Sequence, residues 1–464
     1  MSDVASDLVL RGWAVDPAAG REGPAELAVR DGLLERVTWL AGADADGIDD
    51  QGTLILPGLV DLHVHFREPG NEDAETVASG QAAAAHGGFT TVAVMPNTTP
   101  AIDDPGTVLR IRAAAAASGS PVRVLVHGDV TMGRAGETLA PLGELADAGV
   151  AGFSDDGTPV HAAGILRNAL AYAGSLGLPI IDHPEDPSQT KGAEASEGYV
   201  ASVLGLKGWP VSGEVAAVAR AIALLADVVA DVPGARLHLT HVSTAGSLAH
   251  VRAAKAAGLP VTCDVTPHHV AFADEWIAGA RRWAWEAVDG DGAARDPWTD
   301  GALVAPPFDT SLRVNPPLRS PVDAVACLAA LADGTADALA TDHAPHTEVD
   351  KHVEFGWAIN GISGLETALP IMLAAVDAGR LPLARAVEAM TAGPARILGA
   401  SRVAAPGLRE GEPADLVVVD RTAAWTVTPA SLRSRGKNTP LLGRELRGVV
   451  RLTLAGGRVA YSAD

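Results

Sequence analysis

Imidazole, carboxylate and guanidinium side chains recur in this sequence at the ends of short apolar segments. The segment DLHVHFREPG, residues 61–70, places His63 and His65 two residues apart and Arg67 two residues further on. Their alternation with apolar residues is typical of a β-strand that has one polar face. Taken alone, the histidine pair is more typical of a polar strand face or a hydrogen-bonded core pair than of a metal site. Its meaning therefore depends on the rest of the chain.

Other polar residues stand at the ends of later apolar segments. They are Asn97, Asp155, Asp156, His183, His241, Asp342 and His346. Singly, the Asp pair and the Asn suit turns, and a lone His is an ordinary hydrogen-bonding residue. Together, imidazoles and carboxylates suit a divalent cation such as zinc. An Asp between two ligand sets can bridge two metals, which lower the pKa of a shared water from ~15.7 towards ~7. The combination predicts metal-dependent hydrolysis, with a nearby carboxylate to move the proton.

A repeated unit of a β-rich run, polar residues and an Ala/Leu-rich helical stretch would position these groups. The eight runs are residues 59–66, 90–96, 122–130, 149–157, 178–186, 235–244, 259–269 and 336–346. Eight such units predict an α/β fold, a (β/α)8 TIM-like barrel, in which catalytic groups lie at the C-terminal ends of the strands. An open doubly wound sheet is the alternative. It is disfavoured because the first βα turn lacks a glycine-rich phosphate loop.

Two β-rich flanks and one insert depart from this repeat. Residues 1–56 and 404–464 predict a small β-sandwich formed by both termini, around a barrel of residues 57–403. Residues 274–313 form a long irregular connection that holds four of the nine tryptophans: Trp276, Trp283, Trp285 and Trp298. A connection of this length suggests a lid or a subunit contact, with a structurally inert excursion as the alternative.

Composition excludes several classes of function. A formal charge of −22 argues against nucleic acid or an anionic membrane as a partner, because both need basic protein surface. An anionic substrate would therefore need local positive groups. We find no leader-like segment and no apolar run of membrane-spanning length. Only two cysteines occur, Cys263 and Cys327, which rules out a disulfide framework and predicts a cytoplasmic protein. We interpret both as small core residues.

The chain resembles the cyclic-amidohydrolase superfamily and, within it, the dihydroorotases of the long bacterial type. The resemblance spans the chain apart from residues 274–313. Its motifs are PGLVDLHVHFREPG, GGFTTVAVMPNTTP, GFSDDG, THVSTAGS, VTPHH, VNPPLR, ATDHAPH, GLET and GKNTP. Hydantoinases and allantoinases share single motifs, whereas the complete set is specific.

This resemblance implies a two-zinc centre. The implied metal ligands are His63, His65, Asp156, His183, His241 and Asp342. By the same resemblance, Asp156 bridges the metals, His183 and His241 hold the second metal, and Asp342 is also the general base and acid.

The resemblance also implies a substrate pocket for a carboxylate. The implied contacts are Arg67, Asn97, Asn315, His346, Asn360 and Gly361. Arg67 makes physical sense, because a guanidinium binds a carboxylate bidentately and supplies the local positive charge. Asn360-Gly361 stands where the family usually has Phe-Gly, which is a departure in the pocket.

The residue at the bridge distinguishes among the relatives. Hydantoinases, allantoinases and short dihydroorotases resemble one another in using a carboxylated lysine. The five lysines here are Lys191, Lys207, Lys255, Lys351 and Lys437. None lies near the end of the fourth predicted strand, where AGFSDDG places Asp156 instead. The long type is therefore favoured.

The activity implied is reversible hydrolysis of (S)-dihydroorotate to N-carbamoyl-L-aspartate in pyrimidine synthesis, by a metal-bound hydroxide with Asp342 moving the proton. One alternative is an allantoinase or hydantoinase. Another is a non-catalytic scaffold for aspartate transcarbamoylase, although such relatives have typically lost metal ligands that are all present here. We also expect a homo-oligomer, and association with the transcarbamoylase stays open for an active enzyme as well as for a scaffold.

Overall fold

Strands and helices alternate through the middle of the chain, between two β-rich ends. The structure, a computed structural model, describes residue 5 and residues 7–399, 402–403 and 406–463. Residue 404, the predicted start of the C-terminal β-rich part, lies outside the described residues, as do residues 1–4 and 6 of the N-terminal part.

The strands of the described residues are β1 (Leu8–Asp16), β2 (Arg21–Arg30), β3 (Leu33–Trp39), β4 (Thr53–Pro57), β5 (Leu59–Val64), β6 (Phe89–Val94), β7 (Arg123–Val126), β8 (Ile180–Asp182), β9 (Ala195–Ser196), β10 (Gly208–Trp209), β11 (Leu237–Leu239), β12 (Val261–Val265), β13 (Ala338–Leu339), β14 (Leu416–Thr426), β15 (Glu445–Ala455) and β16 (Arg458–Ser462).

The α-helices of the same residues are α1 (Val77–His86), α2 (Pro105–Ala117), α3 (Leu142–Asp147), α4 (Ala163–Ser175), α5 (Pro187–Thr190), α6 (Tyr199–Leu204), α7 (Ser212–Val228), α8 (Ala245–Ala256), α9 (Pro267–Ala271), α10 (Pro321–Asp333), α11 (Glu348–Lys351), α12 (Ala368–Asp377), α13 (Leu383–Met390) and α14 (Ala392–Leu398).

Parallel pairing in the middle of the chain forms a closed ring. It joins β5, β6 and β7 in one sheet, and β8, β11, β12 and β13 in another. Phe153 connects the two sheets, because it forms parallel bridges to Gly128 and to Ile180. A parallel bridge between Val64 and His343 closes the ring. These eight parallel segments confirm the predicted (β/α)8 barrel and exclude the open sheet.

Strand β5 has the polar and apolar sides that its alternating sequence predicts. The buried carboxylate of Asp61 accepts hydrogen bonds from the backbone N–H groups of His63 and Thr341, both at 3.1 Å. These bonds join the first strand of the barrel to the segment after β13. Phe66 packs outwards against Gly80 of α1, where a Cβ atom would come within 2.4 Å of its ring.

The two ends of the chain share one seven-stranded sheet. Its order is β16-β15-β14-β4-β1-β2-β3. Residues alternate between its faces: Ile55 and Leu416 pack into a small core of the sheet, whereas Leu54 and Val417 pack onto the barrel. The sheet also curls, so that its edge strand β3 meets the segment that precedes β14. There the N–H of Leu34, at the start of β3, donates to the carbonyl of Glu412 at 2.9 Å. Both termini therefore build the β-structure that the sequence predicts.

The tryptophan-rich insert has a packed interior of its own. Trp276 and Trp285 are buried, and the ring of Trp283 lies 5.3 Å from that of Trp285 in a stacked arrangement. The guanidinium of Arg444, which precedes β15, lies 3.7 Å above the Trp283 ring. These contacts attach the insert to the terminal part of the chain, so three of its four tryptophans have structural roles.

Two further sequence expectations concern the cysteines and the membrane. Cys263 and Cys327 are both buried and free, in agreement with their interpretation as core residues. In the part of the chain that the structure describes, no helix is both long enough and apolar enough to cross a bilayer.

Candidate metal centre

The predicted ligands converge at one mouth of the barrel because each stands in or just beyond a barrel strand. His63 lies in β5, and His65 follows it. The other four follow Phe153, β8, β11 and β13: Asp156, His183, His241 and Asp342. The C-terminal ends of parallel strands meet at the same face of a barrel, so residues distant in sequence become neighbours.

A first group of ligand atoms surrounds one point between His63, His65 and Asp156. The two Nε2 atoms are 3.1 Å apart, and they lie 3.5 and 3.6 Å from the oxygens of Asp156. Four ligands at ~2.0–2.1 Å from a tetrahedral zinc ion are about 3.3 Å from one another. The observed separations therefore fit a cation between these atoms.

A second group shares Asp156 with the first and adds His183 and His241. The Nδ1 atom of His183 lies 2.9 Å from Nε2 of His241 and 3.3 Å from Oδ1 of Asp156. This Oδ1 is buried and, among the described residues, has no hydrogen-bond partner. A buried carboxylate oxygen is normally satisfied, so a position facing three imidazoles fits a bridging metal ligand.

Hydrogen bonds fix which ring nitrogen of each histidine faces the centre. The Nδ1 of His63 lies 2.8 Å from Oγ1 of Thr240, and the Nδ1 of His65 lies 2.8 Å from Oδ1 of Asn97. In His183 the roles are reversed, since Nε2 lies 2.9 Å from the carboxylate of Glu185. Each contact occupies one nitrogen with a proton and leaves the other free for a metal.

The charges of the centre are mutually stabilising. Burial lowers the pKa of His63, but the carboxylates of Asp156 and Asp342 outweigh it and raise that pKa to about 9. Burial lowers the pKa of His183, but the carboxylates of Asp156 and Glu185 outweigh it and raise that pKa to about 10. The pKa of Asp156 lies well below its usual value because His63 and the other imidazoles outweigh its burial. Protons thus supply, without metal, the positive charge that the carboxylates require.

Asp342 lies beside the first group, with Oδ1 3.0 Å from Nε2 of His65 and 3.4 Å from Nε2 of His63. Burial would raise the pKa of Asp342, but the charge of His63 and the contact with His65 hold it below the usual range. A carboxylate in this position can bind a cation and can accept a proton from a water molecule at the centre.

Three residues of the site have left-handed backbone conformations, namely Arg67 (φ 57°), His241 (φ 38°) and Asp342 (φ 47°). For residues with a side chain, such conformations cost on the order of 1 kcal/mol and persist only where surrounding contacts hold them. Their occurrence at the strand ends marks this mouth as the part of the fold shaped for function.

A cavity of about 190 Å³ opens over the cluster. Its lining contains all six predicted substrate contacts and five of the six predicted metal ligands. It also contains three further residues, Gly157, Ala344 and Ile359. The lining residues are His65, Arg67, Asn97, Asp156, Gly157, His183, His241, Asn315, Asp342, Ala344, His346, Ile359, Asn360 and Gly361. The amide of Asn97 is also part of the metal cluster, through His65 and a 3.4 Å contact with Asp156.

Arg67 supplies the positive charge of the cavity. Its Nε donates to the carbonyl of Pro345 at 3.2 Å, and Nη2 lies 3.2 Å from Nε2 of His346. Burial lowers the pKa of Arg67 to about 10, so the guanidinium is charged at neutral pH. Burial and the charge of Arg67 lower the pKa of His346 to about 3, so its ring is neutral. The pair therefore offers an anion the charge of Arg67, beside a neutral ring.

Gly361 lies where a side chain would not fit. A Cβ atom there would lie 2.6 Å from the carbonyl oxygen of Ala344 and 2.8 Å from Nε2 of His346. The preceding Asn360 accepts a hydrogen bond from Nε2 of His346 through its backbone carbonyl, at 2.8 Å. The Asn360-Gly361 pair therefore packs directly against His346.

Comparisons with known proteins agree with this geometry. A family model described as dihydro-orotase-like matches residues 52–247. A dihydroorotase of Anaeromyxobacter dehalogenans is 44% identical over 466 residues, which cover 100% of this chain and 99% of that protein. A dihydroorotase of Pelotomaculum thermopropionicum is 43% identical over 454 residues, which cover 97% of each.

The chain belongs to the dihydroorotase family. Its fold also matches that of an L-hydantoinase (dihydropyrimidinase) from Arthrobacter aurescens, with a TM-score of 0.77 and 26% identity. That match covers 100% of this chain and 96% of the hydantoinase. The family assignment confirms the resemblance drawn from the motifs, and the structural match agrees with the barrel and its terminal sheet.

The structure adds a residue to this dihydroorotase site that sequence reasoning missed. Glu185 accepts from Nε2 of His183 and, at 3.0 Å, from Nδ2 of Asn315. Its pKa is lowered to about 2, because these contacts and one with Thr190 outweigh its partial burial. The carboxylate thereby connects a predicted metal ligand to a cavity residue. The sequence signal that could have identified Glu185 is its position two residues after His183, in DHPED.

A second missed group lies on the buried side of the dihydroorotase metal cluster. The Thr240 hydroxyl, beside His63, donates to Oδ2 of Asp264 at 3.1 Å. The other oxygen of Asp264 accepts from the backbone N–H of His241 at 2.7 Å. One carboxylate in β12 thus supports a ligand of each metal group. In sequence, Asp264 resembles any polar residue of a strand.

Proposed function

We propose that this protein is a dihydroorotase, which catalyses the reversible hydrolysis of (S)-dihydroorotate to N-carbamoyl-L-aspartate in pyrimidine synthesis. One observation carries the proposal: a single cavity is lined both by residues of the His/Asp cluster, Asp156 among them, and by the charged guanidinium of Arg67. The cluster suits hydrolysis of a cyclic amide, and the guanidinium suits the carboxylate of dihydroorotate.

We propose that the cluster binds two zinc ions. His63, His65 and Asp342 would hold one, His183 and His241 the other. Asp156 would bridge them, consistent with its shared place in both ligand groups. When bound, such ions lower the pKa of a water ligand from ~15.7 towards ~7 and polarise a carbonyl oxygen.

Asp342 would move the proton. Its carboxylate lies in the lining of the cavity and, with a pKa below the usual range, is ionised at neutral pH. It can therefore accept a proton from the attacking water and return it to the ring nitrogen as the amide bond breaks.

The rest of the cavity would bind and orient the substrate. Arg67 would form the ion pair with the carboxylate, and Asn97 would add a hydrogen bond. The neutral His346, whose Nε2–H donates to Asn360, would line the wall beside Arg67. In the part of the chain that the structure describes, the buried Oδ1 of Asn315 has no hydrogen-bond partner. Asn315 lines the cavity, where this oxygen can accept an N–H of the substrate. The backbone at Gly361 completes the wall.

Two features disfavour a hydantoinase or allantoinase activity. The cavity lining includes Asp156 but, among the described residues, no lysine. Arg67 also provides a carboxylate partner that uncharged hydantoins and allantoin do not need. The scaffold alternative is disfavoured because the six predicted ligand positions hold His or Asp and lie together at one mouth.

A substrate panel tests the proposed activity. Purified, zinc-supplemented protein is assayed with dihydroorotate, carbamoyl aspartate, hydantoin, dihydrouracil and allantoin, and bound metal is quantified in the same sample. We expect turnover of dihydroorotate and carbamoyl aspartate at rates well above those of the uncharged rings. Turnover of an uncharged ring with none of dihydroorotate would refute the assignment. Absence of both metal and turnover would favour the scaffold.

Location and assembly remain predictions. We propose a cytoplasmic homo-oligomer that associates with aspartate transcarbamoylase. Apolar side chains at the surface, such as Trp357 with 80% of its area exposed, are consistent with a protein contact. Light scattering of the protein alone and mixed with the transcarbamoylase would measure both assemblies.

A further inference from the structure

A segment outside the barrel strands reaches the substrate cavity. Residues 434–438, between β14 and β15, include the start of the GKNTP motif, and we call them the clamp segment. Gly436 lies against the backbone after β13, where a Cβ atom would come within 2.7 Å of the nitrogen of His346. The close approach explains why this position carries a glycine.

The last residue of the clamp segment joins two parts of the cavity wall. Asn438 is only 6% exposed, and its Oδ1 accepts from the N–H of His346 at 2.8 Å and from the hydroxyl of Ser363 at 3.0 Å. Its Nδ2 donates to the carbonyls of Ala344 at 3.1 Å and Gly361 at 3.0 Å. These four bonds use both donors and both acceptor sites of the amide.

The residues so joined surround the predicted carboxylate site. Ala344, His346 and Gly361 all line the cavity. The carbonyl of Pro345, between the first two, accepts from Nε of Arg67. One amide therefore sets the distance between the segment that carries His346 and the segment that carries Gly361, and through Pro345 it also influences Arg67.

The catalytic carboxylate has a separate support. The N–H and the hydroxyl of Thr341, directly before Asp342, donate to the carboxylate of Asp61 at 3.1 and 2.5 Å. Loss of Asn438 would therefore disturb the anion-binding wall more than Asp342 or the metal ligands.

We propose that Asn438 is a positioning residue for recognition of the substrate carboxylate, although it belongs to the segment between two strands of the terminal sheet. The inference rests on the proposed dihydroorotase function. Displacement of a binding group by 1 Å can cost about a hundredfold in rate or affinity. The displaced groups bind the substrate and do not move the proton. We therefore expect their displacement to raise KM and to leave kcat little changed.

The test compares the wild type with Asn438→Leu, Ser363→Ala and the control Thr439→Val. Thr439 is buried in the next position, and its side chain contacts only the N–H of Leu441 among the hydrogen bonds described. For each protein we would measure KM and kcat with dihydroorotate, the affinity for orotate by calorimetry, and zinc content. Orotate carries the same carboxylate and is not hydrolysed.

We expect Asn438→Leu to raise KM and weaken orotate binding by about tenfold or more, with kcat within about threefold and zinc content unchanged. Ser363→Ala, which removes the hydroxyl that contacts both Oδ1 of Asn438 and the carbonyl of Gly436, should raise KM by about threefold, and Thr439→Val should match the wild type. Unchanged KM in folded Asn438→Leu would overturn the inference. If that variant fails to fold, unchanged KM in Ser363→Ala would do so. A wild type that neither hydrolyses dihydroorotate nor binds orotate would instead refute the proposed function.

Discussion

At the scale of single residues, the geometry of the site depends on which side-chain atoms are already hydrogen-bonded within the protein. The imidazoles of His63, His65 and His183 each use one nitrogen in a hydrogen bond to the protein, and the other faces Asp156 or Asp342. Arg67 is held through Nε, which leaves the outer edge of its guanidinium beside the cavity. Each residue is therefore oriented for its role before any ligand binds.

Arg67→Met should raise KM for dihydroorotate by about tenfold to a hundredfold, because a charged hydrogen bond contributes ~1.5–3 kcal/mol. Steady-state kinetics with dihydroorotate would measure the change. Arg123→Met is the matched control, since that guanidinium pairs with Asp415 outside the cavity lining. Equal KM values in the Arg67 variant and the wild type would contradict its role as carboxylate partner.

Glu185→Gln should weaken binding of the metal held by His183, by about tenfold to a hundredfold. The neutral amide keeps the shape of the carboxylate but loses the charge that orients the imidazole and raises its basicity. Competition with a chromophoric chelator would measure both metal affinities. We expect the affinity of the site formed by His63 and His65 to change little. Two unchanged affinities would show that Glu185 does not support the metal site.

Metal binding should release protons at neutral pH. Without metal, the pKa values of His63 and His183 are raised to about 9 and 10, so both rings are protonated at pH 7. A metal ion requires the unprotonated nitrogen, so apparent affinity should rise as pH increases towards 9 and fall as pH decreases. Calorimetry at pH 7 in buffers of different ionisation enthalpy should show that filling both metal positions of one molecule releases about two protons. An enthalpy independent of the buffer would contradict these pKa values.

At the scale of elements, buried polar groups hold the loops that carry the ligands. Glu214, in the first turn of α7, accepts from the N–H of Thr244 at 3.1 Å and from its hydroxyl at 2.8 Å. It also bonds to Ser243 and lies 3.5 Å from the guanidinium of the buried Arg319. The loop that follows His241 is therefore held by a helix outside the barrel strands.

Glu214→Gln should destabilise the fold by about 3–5 kcal/mol, because Arg319 would keep its charge in a buried position without a carboxylate to balance it. Urea unfolding at constant zinc concentration would measure the loss. Asp333→Asn removes the exposed partner of Arg252 and serves as the control. It should cost less than about 1 kcal/mol. Similar losses in the two variants would show that burial of the Glu214–Arg319 pair has no special effect.

At the scale of the whole molecule, a large part of the architecture could be predicted because it is periodic. Eight repeated units predict the barrel, and polar residues at their ends predict the mouth where the ligands meet. The supporting contacts could not be predicted, since they join distant parts of the chain. Asn438 and His346 are 92 residues apart, and Asp264 is 23 residues from the His241 backbone that it holds. No local pattern indicates such pairings.

The tryptophan-rich insert, residues 274–313, also makes contacts that its sequence does not predict. Its length and tryptophans suggested a lid or a subunit contact, with an inert excursion as the alternative. The structure adds that Trp276, Trp283 and Trp285 pack together and that Arg444 lies over the rings of Trp276 and Trp283. The sequence distance of Arg444 from the insert conceals this contact, which joins the barrel region to the terminal sheet.

The central claim is that the His/Asp cluster, loaded with metal, hydrolyses dihydroorotate with Asp342 as proton carrier. Its most direct test is a zinc titration of chelator-stripped protein, followed by the initial rate of dihydroorotate hydrolysis. We predict no activity without metal, a rise to a plateau near two equivalents, and at least about a hundredfold lower plateau for Asp342→Asn. Activity in the stripped protein, no activity at any zinc level, or a wild-type rate in Asp342→Asn would contradict it.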